Sequence, residues 1–212
     1  MVTTASALDR CGVCGGPCRT GFACCYCCRT LVRQLGQPLV RVSAMADYRV
    51  GDGMHRHLRG YKDAPLAEVR RAHVEALGSM ASRWLDAHRG ELVRRFGAPW
   101  DAVATVPSTS RRRGAPVDAV VGRVDELRQL HRSLLVRGDD RVDHLVASRH
   151  GFDRSPSVDP SWLRGRSVLV VDDSHVTGAR AQSAVAALRA GGAEVVGIVV
   201  LGRVVGGADR RV

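Results

Sequence analysis

The stretch from Val168 to Leu201 restricts the fold more than any other part of the sequence. Four apolar residues that favour β structure predict a buried strand, which the acid pair Asp172-Asp173 ends. A helical pattern follows to about residue 190, where a glycine pair ends it, and residues 195–201 predict a second buried strand. Two strands joined through a helix form a parallel βαβ unit with a right-handed crossover. The sequence therefore predicts an α/β fold, a Rossmann-like parallel sheet flanked by helices.

Composition and the middle of the chain agree with this fold class. Aromatic residues make up only 4% of the sequence, so the core depends on Val, Leu and Ala, as is typical of parallel sheets covered on both faces. The 212 residues fit one full domain with a small appendage. Apolar spacings predict a helix over residues 65–96, a strand over 101–106, a helix over 115–130 and a strand over 133–136.

The turn after the first strand of the βαβ unit carries specific chemistry. Free amides at the start of the following helix, together with the Thr177 hydroxyl and Gly178, form a cradle for a phosphate group. Two adjacent carboxylates accept hydrogen bonds from vicinal hydroxyls or hold a hydrated magnesium ion. A ligand that fits both features has a diol at one end and a phosphate at the other, as ribose 5-phosphate does.

Other classes of protein place acids or phosphate-binding turns after a strand. Receiver domains begin with a similar strand and acid pair, but too few residues follow Asp173 here for the rest of such a domain. A P-loop requires Gly-Lys-Ser/Thr, whereas the only lysine is Lys62. A third interpretation, in which the acids merely cap the helix, stays open.

A second polar loop follows the strand predicted over residues 101–106. It reads Ser108-Thr109-Ser110, then Arg111-Arg112-Arg113 and Gly114. An arginine triplet is usually a solvated surface feature. Here it follows the carboxyl end of a strand, which is where open α/β sheets bind ligands. The loop is therefore a second candidate anion site.

All seven cysteines lie between Cys11 and Cys28, which indicates a metal site more than a framework of disulfides. A CxxC turn directs two thiolates at one point, and a tetrahedral zinc ion takes four. The predicted ligands are Cys11, Cys14, Cys25 and Cys28, with Cys24 and Cys27 as the alternative second pair. Four sulfur ligands leave no open position, so the zinc is expected to be structural. A cluster of thiols without metal is the other interpretation.

The net charge is +11, nearly all of it from arginine. Such an excess attracts polyanions, either nucleic acid or phosphorylated metabolites. Aromatic side chains are not interleaved with the basic ones, which weakens the case for a single-strand-binding surface. No apolar run reaches the roughly 18 residues of a membrane span, and no signal segment opens the chain, so a cytoplasmic location is expected.

On these residues the chain resembles the type I phosphoribosyltransferases, which use 5-phosphoribosyl diphosphate (PRPP). Their PRPP motif is a hydrophobic strand, two acids, two variable residues and a Thr-Thr-Gly-x-Thr run. Within that group the chain resembles the competence-associated ComF family. The resemblance rests on the two N-terminal CxxC pairs, on Tyr48 with Leu58-Arg-Gly-Tyr-Lys62, and on the Val-Pro-Ser and Arg-Arg-Gly114 loop.

The resemblance implies roles for particular residues. Asp172 and Asp173 would bind the ribose hydroxyls, and Arg111, Arg112 and Arg113 would stabilise the departing diphosphate. The further PRPP-binding residues would be Ser108, Thr109, Ser110, Ser174, Val176, Thr177, Gly178, Ala179 and Arg180. Val176 replaces a threonine of the motif, and Arg180 stands where a second phosphate-binding hydroxyl is expected.

The resemblance also implies an activity, cofactors and partners. The activity would be transfer of the phosphoribosyl group to a nucleobase or amine with loss of diphosphate, with Mg²⁺ beside PRPP and a structural Zn²⁺. The alternative is a non-catalytic ComF-type module of DNA uptake that binds single-stranded DNA. A homodimer is a further expectation. The expected units are a zinc-ribbon-like cysteine unit over 1–38, a hood-like segment over 39–64 and the phosphoribosyltransferase-like domain over 65–212.

Overall fold

The computed structural model describes residues 10–18, 24–108 and 115–205. In these ranges it contains six strands and seven helices. The strands are β1 (Val42–Tyr48), β2 (Ala102–Thr105), β3 (Leu135–Arg137), β4 (Phe152–Arg154), β5 (Ser167–His175) and β6 (Glu194–Val204). The helices are α1 (Tyr26–Leu35), α2 (Gly53–Asp63), α3 (Ala67–Phe96), α4 (Asp118–Val121), α5 (Asp125–Leu130), α6 (Pro160–Leu163) and α7 (Ala179–Ala190).

The main sheet has four strands in the order β1-β6-β5-β2, and every neighbouring pair is parallel. Helix α7 connects β5 to β6, as the sequence predicts for the βαβ unit. The predicted fold class, a parallel sheet flanked by helices, is confirmed. Because the strands are parallel, the carboxyl ends of β5 and β2 lie at one edge of the sheet, where ligands bind in open α/β folds.

Side chains of β5 alternate between two hydrophobic cores, as the period of a strand requires. Val168 and Val170 pack in the core that contains Leu188 of α7. Leu169 and Val171 pack in the core beneath α2 and α3, with Leu77. Both faces of the strand are therefore buried, which explains its continuous apolar sequence.

The cysteine unit is packed onto the main sheet. Cys11, Cys14 and Cys28 are buried in the same core as α7 and the sheet. The Val42 amide donates to the Val13 carbonyl oxygen at 2.8 Å, and the Arg203 guanidinium donates to the Cys14 carbonyl oxygen. The segment 39–64 supplies the edge strand β1 as well as α2. The division into three units stays a prediction.

Three elements differ from the sequence prediction. Strand β5 does not end at the acid pair but continues to His175. The segment 115–130 folds into two short helices, α4 and α5, rather than one. Strand β3 pairs with β4 in a separate antiparallel ribbon. Within the described residues, no helix combines the length and the apolar character that a membrane span needs.

Candidate functional site

A cavity of about 300 Å³ opens at the carboxyl edge of the sheet. This volume lies at the lower end of the range of about 300–1,000 Å³ that is usual for small-molecule sites. The cavity is lined by Arg59, Lys62, Asp63, Val106, Ser108, Pro116, Val117, Asp172, Asp173 and Arg180. Residues from α2, β5, α7 and the segment after β2 therefore meet in one polar pocket.

The two acids have different surroundings because they lie inside β5. Consecutive residues of a strand point to opposite faces of the sheet. Asp172 accordingly faces Arg180 of α7, whereas Asp173 faces Tyr61 and Lys62 of α2. Both carboxylates line the cavity, yet each residue is only 3% exposed.

Asp172 is a strongly buried carboxylate with few partners. Its Oδ1 accepts a hydrogen bond from the Asp173 amide at 2.9 Å and lies 3.7 Å from Arg180 Nη2. Burial raises the pKa of Asp172 above its ordinary value, although Arg180 and Lys62 oppose the shift. A carboxylate held in this way gains from any further donor that enters the cavity.

Asp173 is covered by two side chains of α2. The Tyr61 hydroxyl donates to Asp173 Oδ2, and the Lys62 ammonium pairs with the same oxygen. Burial raises the pKa of Tyr61 and lowers the pKa of Lys62 to about 8. The other oxygen, Oδ1, is buried and has no hydrogen-bond partner among the described residues. With Oδ2 covered and Oδ1 buried, a ligand reaches this carboxylate only after one of the covering side chains moves.

The turn between β5 and α7 is fixed by its own contacts. Gly178 adopts φ +88° and caps α7. The Ala179 amide donates to Thr177 Oγ1 at 3.2 Å, and that hydroxyl donates to the His144 carbonyl oxygen. The first amides of a helix have no acceptor within the helix and lie at the positive end of its dipole. The start of α7 is therefore suited to an anion.

Gly178 is the position of the turn where a side chain is least tolerated. A Cβ there would lie 2.7 Å from Cε1 of His175, which is 4% exposed, whereas a Cβ at Gly165 (φ +72°) would meet nothing within 4 Å. Left-handed backbone costs a non-glycine residue about 1–2 kcal/mol in either case. We therefore expect Gly178→Ala to lower the free energy of unfolding by about 1 kcal/mol more than the control Gly165→Ala, measured by chemical denaturation. Equal losses in the two variants would contradict the proposed contact.

Arg180 spans from α7 to the end of β2. Its Nη2 donates to the Pro107 carbonyl oxygen at 3.4 Å and lies near Asp172, while its buried Nε has no partner among the described residues. The side chain thus reaches from α7 to the end of β2 and lines the cavity on the way. The sequence comparison with the PRPP motif did not indicate this orientation.

Four cysteines form a separate site at the N-terminal unit. The Sγ atoms of Cys11, Cys14, Cys25 and Cys28 all lie within 4.8 Å of one another. Two of these distances are 3.7 Å (Cys11–Cys28) and 3.6 Å (Cys14–Cys25). Zinc–sulfur bonds of about 2.3 Å in a tetrahedron place the sulfurs about 3.8 Å apart, so this geometry suits zinc. The structure brings together the preferred second pair, and the alternative pair Cys24 and Cys27 lies outside this group.

Local backbone explains how the four thiols converge. The first CxxC closes a tight turn in which the Gly15 amide donates to the Cys11 carbonyl oxygen at 2.8 Å. Cys25 caps α1, and its Sγ accepts from the Cys28 amide at 3.4 Å. A hydrogen bond with Cys14 lowers the pKa of Cys11 to about 5. A lowered pKa favours the thiolate, which is the form that binds metal.

The chain has relatives among known proteins. No family model matches it. It is 36% identical over 151 residues to an orotate phosphoribosyltransferase of Corynebacterium glutamicum, covering 71% of each chain. It is 30% identical over 161 residues to an adenine phosphoribosyltransferase of Gluconacetobacter diazotrophicus, covering 74% of this chain and 89% of the relative. A third relative, an orotate phosphoribosyltransferase of Streptomyces avermitilis, is 40% identical over 75 residues, which cover 35% of this chain and 40% of the relative.

The chain belongs to the phosphoribosyltransferase family. Of the site residues expected from the sequence of this phosphoribosyltransferase-like protein, the structure brings Ser108, Asp172, Asp173 and Arg180 to one cavity. Thr177, Gly178 and Ala179 form the adjacent turn, where Val176 is half exposed. Ser174 instead bonds the Tyr48 hydroxyl at 2.7 Å. Thr109, Ser110, Arg111, Arg112 and Arg113 lie outside the described residues, and so does Gly114.

Sequence reasoning missed the contribution of α2 to this candidate site. Tyr61, Lys62 and Asp63 end that helix directly over the acid pair, and Arg59 lies one turn earlier. The signal was present, because the Leu58-Arg-Gly-Tyr-Lys62 stretch contributed to the family resemblance. A contact between residues more than 100 positions apart, however, has no local pattern that would reveal it.

Proposed function

We propose that this protein binds PRPP at the carboxyl edge of the sheet and transfers its phosphoribosyl group to a nucleobase or amine. In the transfer, the bond from the anomeric carbon to diphosphate breaks, a nitrogen of the acceptor bonds to that carbon, and the acceptor loses a proton. The single observation that carries the proposal is the cavity with Asp172 and Asp173 on its wall and the start of α7 beside them. Family membership supports the same conclusion.

Each group in the site has a proposed task. Asp172 and Asp173 accept hydrogen bonds from the ribose hydroxyls and orient the ring, while the first amides of α7 bind the 5-phosphate. The transition state of such a substitution resembles an oxocarbenium ion, so catalysis is mostly electrostatic and positional. Arg111, Arg112 and Arg113 remain predicted partners of the diphosphate.

Magnesium is proposed as part of the substrate. The only group of three or more metal-ligating side chains among the described residues is the four-cysteine group. Two carboxylates, of which Asp173 is already paired with Lys62, form a weak site for a bare magnesium ion. The diphosphate of PRPP supplies the oxygen ligands that Mg²⁺ prefers, and the ion neutralises its charge as it departs.

Calorimetry tests the proposal. PRPP with magnesium is titrated into the protein, and ribose 5-phosphate is used as competitor. Saturable heat that the competitor reduces supports the site, and release of diphosphate in the presence of a nucleobase or amine identifies the acceptor. Absence of both heat and competition would overturn the proposal.

A substitution of Arg180 tests the same site through a partial loss of PRPP affinity. Its cationic side chain lines the cavity, and its Nε has no partner among the described residues, so we expect it to bind the diphosphate. A charge-assisted hydrogen bond contributes about 1.5–3 kcal/mol, so Arg180→Met is expected to weaken PRPP binding about 10- to 100-fold. Arg189→Met is the matched control, since Arg189 lies at the far end of α7 and bonds the Pro38 carbonyl oxygen. Equal affinities of the two variants for PRPP would contradict this role.

A second proposal, a ComF-type module that binds single-stranded DNA, has its own support. The net charge of +11 and the cysteine group packed against the domain favour a polyanion partner. A gel-shift assay with single-stranded DNA at increasing salt tests it. Binding that weakens with salt, without diphosphate release from any acceptor, would favour this function over transfer, and absence of a shift at low salt would exclude it.

A further inference from the structure

Two side chains of α2 already contact the Asp173 carboxylate, which the ribose hydroxyls would have to reach. Tyr61 and Lys62 both contact Asp173 Oδ2, while Asp173 Oδ1 has no partner among the described residues. Tyr61 is 4% exposed and belongs to the core beneath α2 and α3, so it is fixed. The Lys62 side chain is 25% exposed and lines the open cavity. Of the two, Lys62 is the one that can move without disturbing the core.

The charges around Lys62 allow another anion to take the place of Asp173 as the partner of its ammonium group. Asp172 and Asp63 attract the ammonium group, while Arg180 and Arg59 repel it. Burial outweighs the attraction, because the pKa of Lys62 is lowered to about 8. An incoming group with several negative charges would compensate Lys62 better than one carboxylate does, and it would also attract the two arginines.

We propose that the Lys62–Asp173 ion pair weakens the binding of sugar phosphates that lack a diphosphate group, because only the diphosphate offers Lys62 a new anionic partner in place of Asp173. The inference rests on the proposed function and names the ligand selectivity of the same site. Ribose 5-phosphate can reach Asp173 only by breaking the pair without compensation. PRPP breaks the same pair and gives Lys62 a new partner in its diphosphate.

The same ion pair acts after the transfer. Once diphosphate departs, Lys62 loses its anionic partner and returns to Asp173. The ribosylated product then competes with Lys62 for that carboxylate and is released. Lys62 is therefore a residue that distinguishes the substrate from both ribose 5-phosphate and the product nucleotide.

Lys62 is the only lysine of the chain, which gives a direct readout in the unmodified protein. Lysine labelled with ¹³C at Cε yields a single side-chain signal in the NMR spectrum. We expect PRPP with magnesium to shift this signal, and ribose 5-phosphate at the same concentration to leave it unchanged. PRPP binding without a shift, or an equal shift with ribose 5-phosphate, would overturn the inference.

A substitution provides the second measurement. Lys62→Met keeps the aliphatic stem and removes the charge, and Arg59→Met is the control from the same helix and cavity. In calorimetry, Lys62→Met is expected to weaken PRPP binding about 10-fold or more and to strengthen ribose 5-phosphate binding several-fold. Arg59→Met also removes a cation from the cavity, but Arg59 pairs with Asp63, so this variant is not expected to strengthen ribose 5-phosphate binding. If Lys62 had only a structural role, Lys62→Met would weaken the binding of PRPP and of ribose 5-phosphate by the same factor.

The possible outcomes distinguish a failure of the proposed function from a failure of the proposed role of the ion pair. If the wild-type protein binds no PRPP, the proposed function fails and this inference fails with it. If the wild-type protein binds PRPP and Lys62→Met keeps the same preference for PRPP over ribose 5-phosphate, only the role of the ion pair fails. The melting temperature of each variant shows whether it is folded, and the NMR measurement decides the question if Lys62→Met is not.

Discussion

Replacing both Asp172 and Asp173 by asparagine is expected to lower the affinity for PRPP at least about 100-fold, because each charged hydrogen bond to a ribose hydroxyl contributes about 1.5–3 kcal/mol. Asparagine keeps the shape of the side chain and removes the charge. Its amide still accepts hydrogen bonds through one oxygen, so residual binding through the phosphate and diphosphate is expected. Calorimetry with PRPP and magnesium measures the loss.

Asp63→Asn is the matched control for this double variant. Asp63 lines the same cavity but lies on α2, where it pairs with Arg59 at 3.2 Å. Its substitution is expected to change PRPP affinity by no more than about two-fold, as is usual for an exposed ion pair. A double variant that binds PRPP as tightly as the Asp63 control would show that the acids do not hold the ribose.

The stability of the two single variants is expected to differ. Burial raises the pKa of Asp172, so its ionised form destabilises the folded state at neutral pH, and Asp172→Asn is expected to keep or raise the melting temperature. Asp173→Asn removes the ionic partner of Lys62 and is expected to lower the melting temperature. Thermal unfolding at pH 7 measures both, which separates loss of binding from loss of fold.

Loss of one thiol of the four-cysteine group, the predicted zinc site, is expected to have the largest effect on stability. Cys11 and Cys28 are buried in the core shared with the sheet, so a disordered cysteine unit would expose part of that core. Structural zinc contributes about 10–16 kcal/mol to the folding of isolated zinc-finger peptides. We therefore expect Cys11→Ser or Cys28→Ser to release the metal and to lower the free energy of unfolding by about 3 kcal/mol or more.

Cys24→Ser and Cys18→Ser are the controls for the metal site. Cys24 Sγ lies 3.8 Å from Cys11 Sγ, yet neither Cys24 nor Cys18 belongs to the four-cysteine group. Both variants are expected to retain one zinc per chain in elemental analysis. Retention of zinc by Cys28→Ser together with its loss from Cys24→Ser would indicate the alternative second pair.

The sequence was sufficient to predict the βαβ unit because its signals are local. A run of apolar residues, a glycine pair and a second apolar run define β5, α7 and β6 without reference to the rest of the chain. The spacing of the cysteines is equally local: it left Cys25 with Cys28 and Cys24 with Cys27 as second pairs, and the preferred pair, Cys25 with Cys28, converges with Cys11 and Cys14. Features of this kind depend on residues close in sequence.

The parts that sequence reasoning missed depend on distant residues. The acids were expected to end the strand, because Asp is disfavoured in strands, but backbone pairing with β6 continues to His175. This extension directs Asp172 and Asp173 to opposite faces and gives them different partners. The contacts of Tyr61 and Lys62 with Asp173, like the pairing of β3 with β4, depend on packing between distant elements. No repeating pattern of apolar residues in the sequence predicts such contacts.

A crystal structure of the protein with PRPP and magnesium shows whether one cavity holds both ends of the phosphorylated sugar. We expect the two ribose hydroxyls within about 3 Å of the carboxylates of Asp172 and Asp173, and the 5-phosphate at the first amides of α7. Electron density for the sugar phosphate at another edge of the sheet, or with its phosphate at the acids, would contradict this expectation.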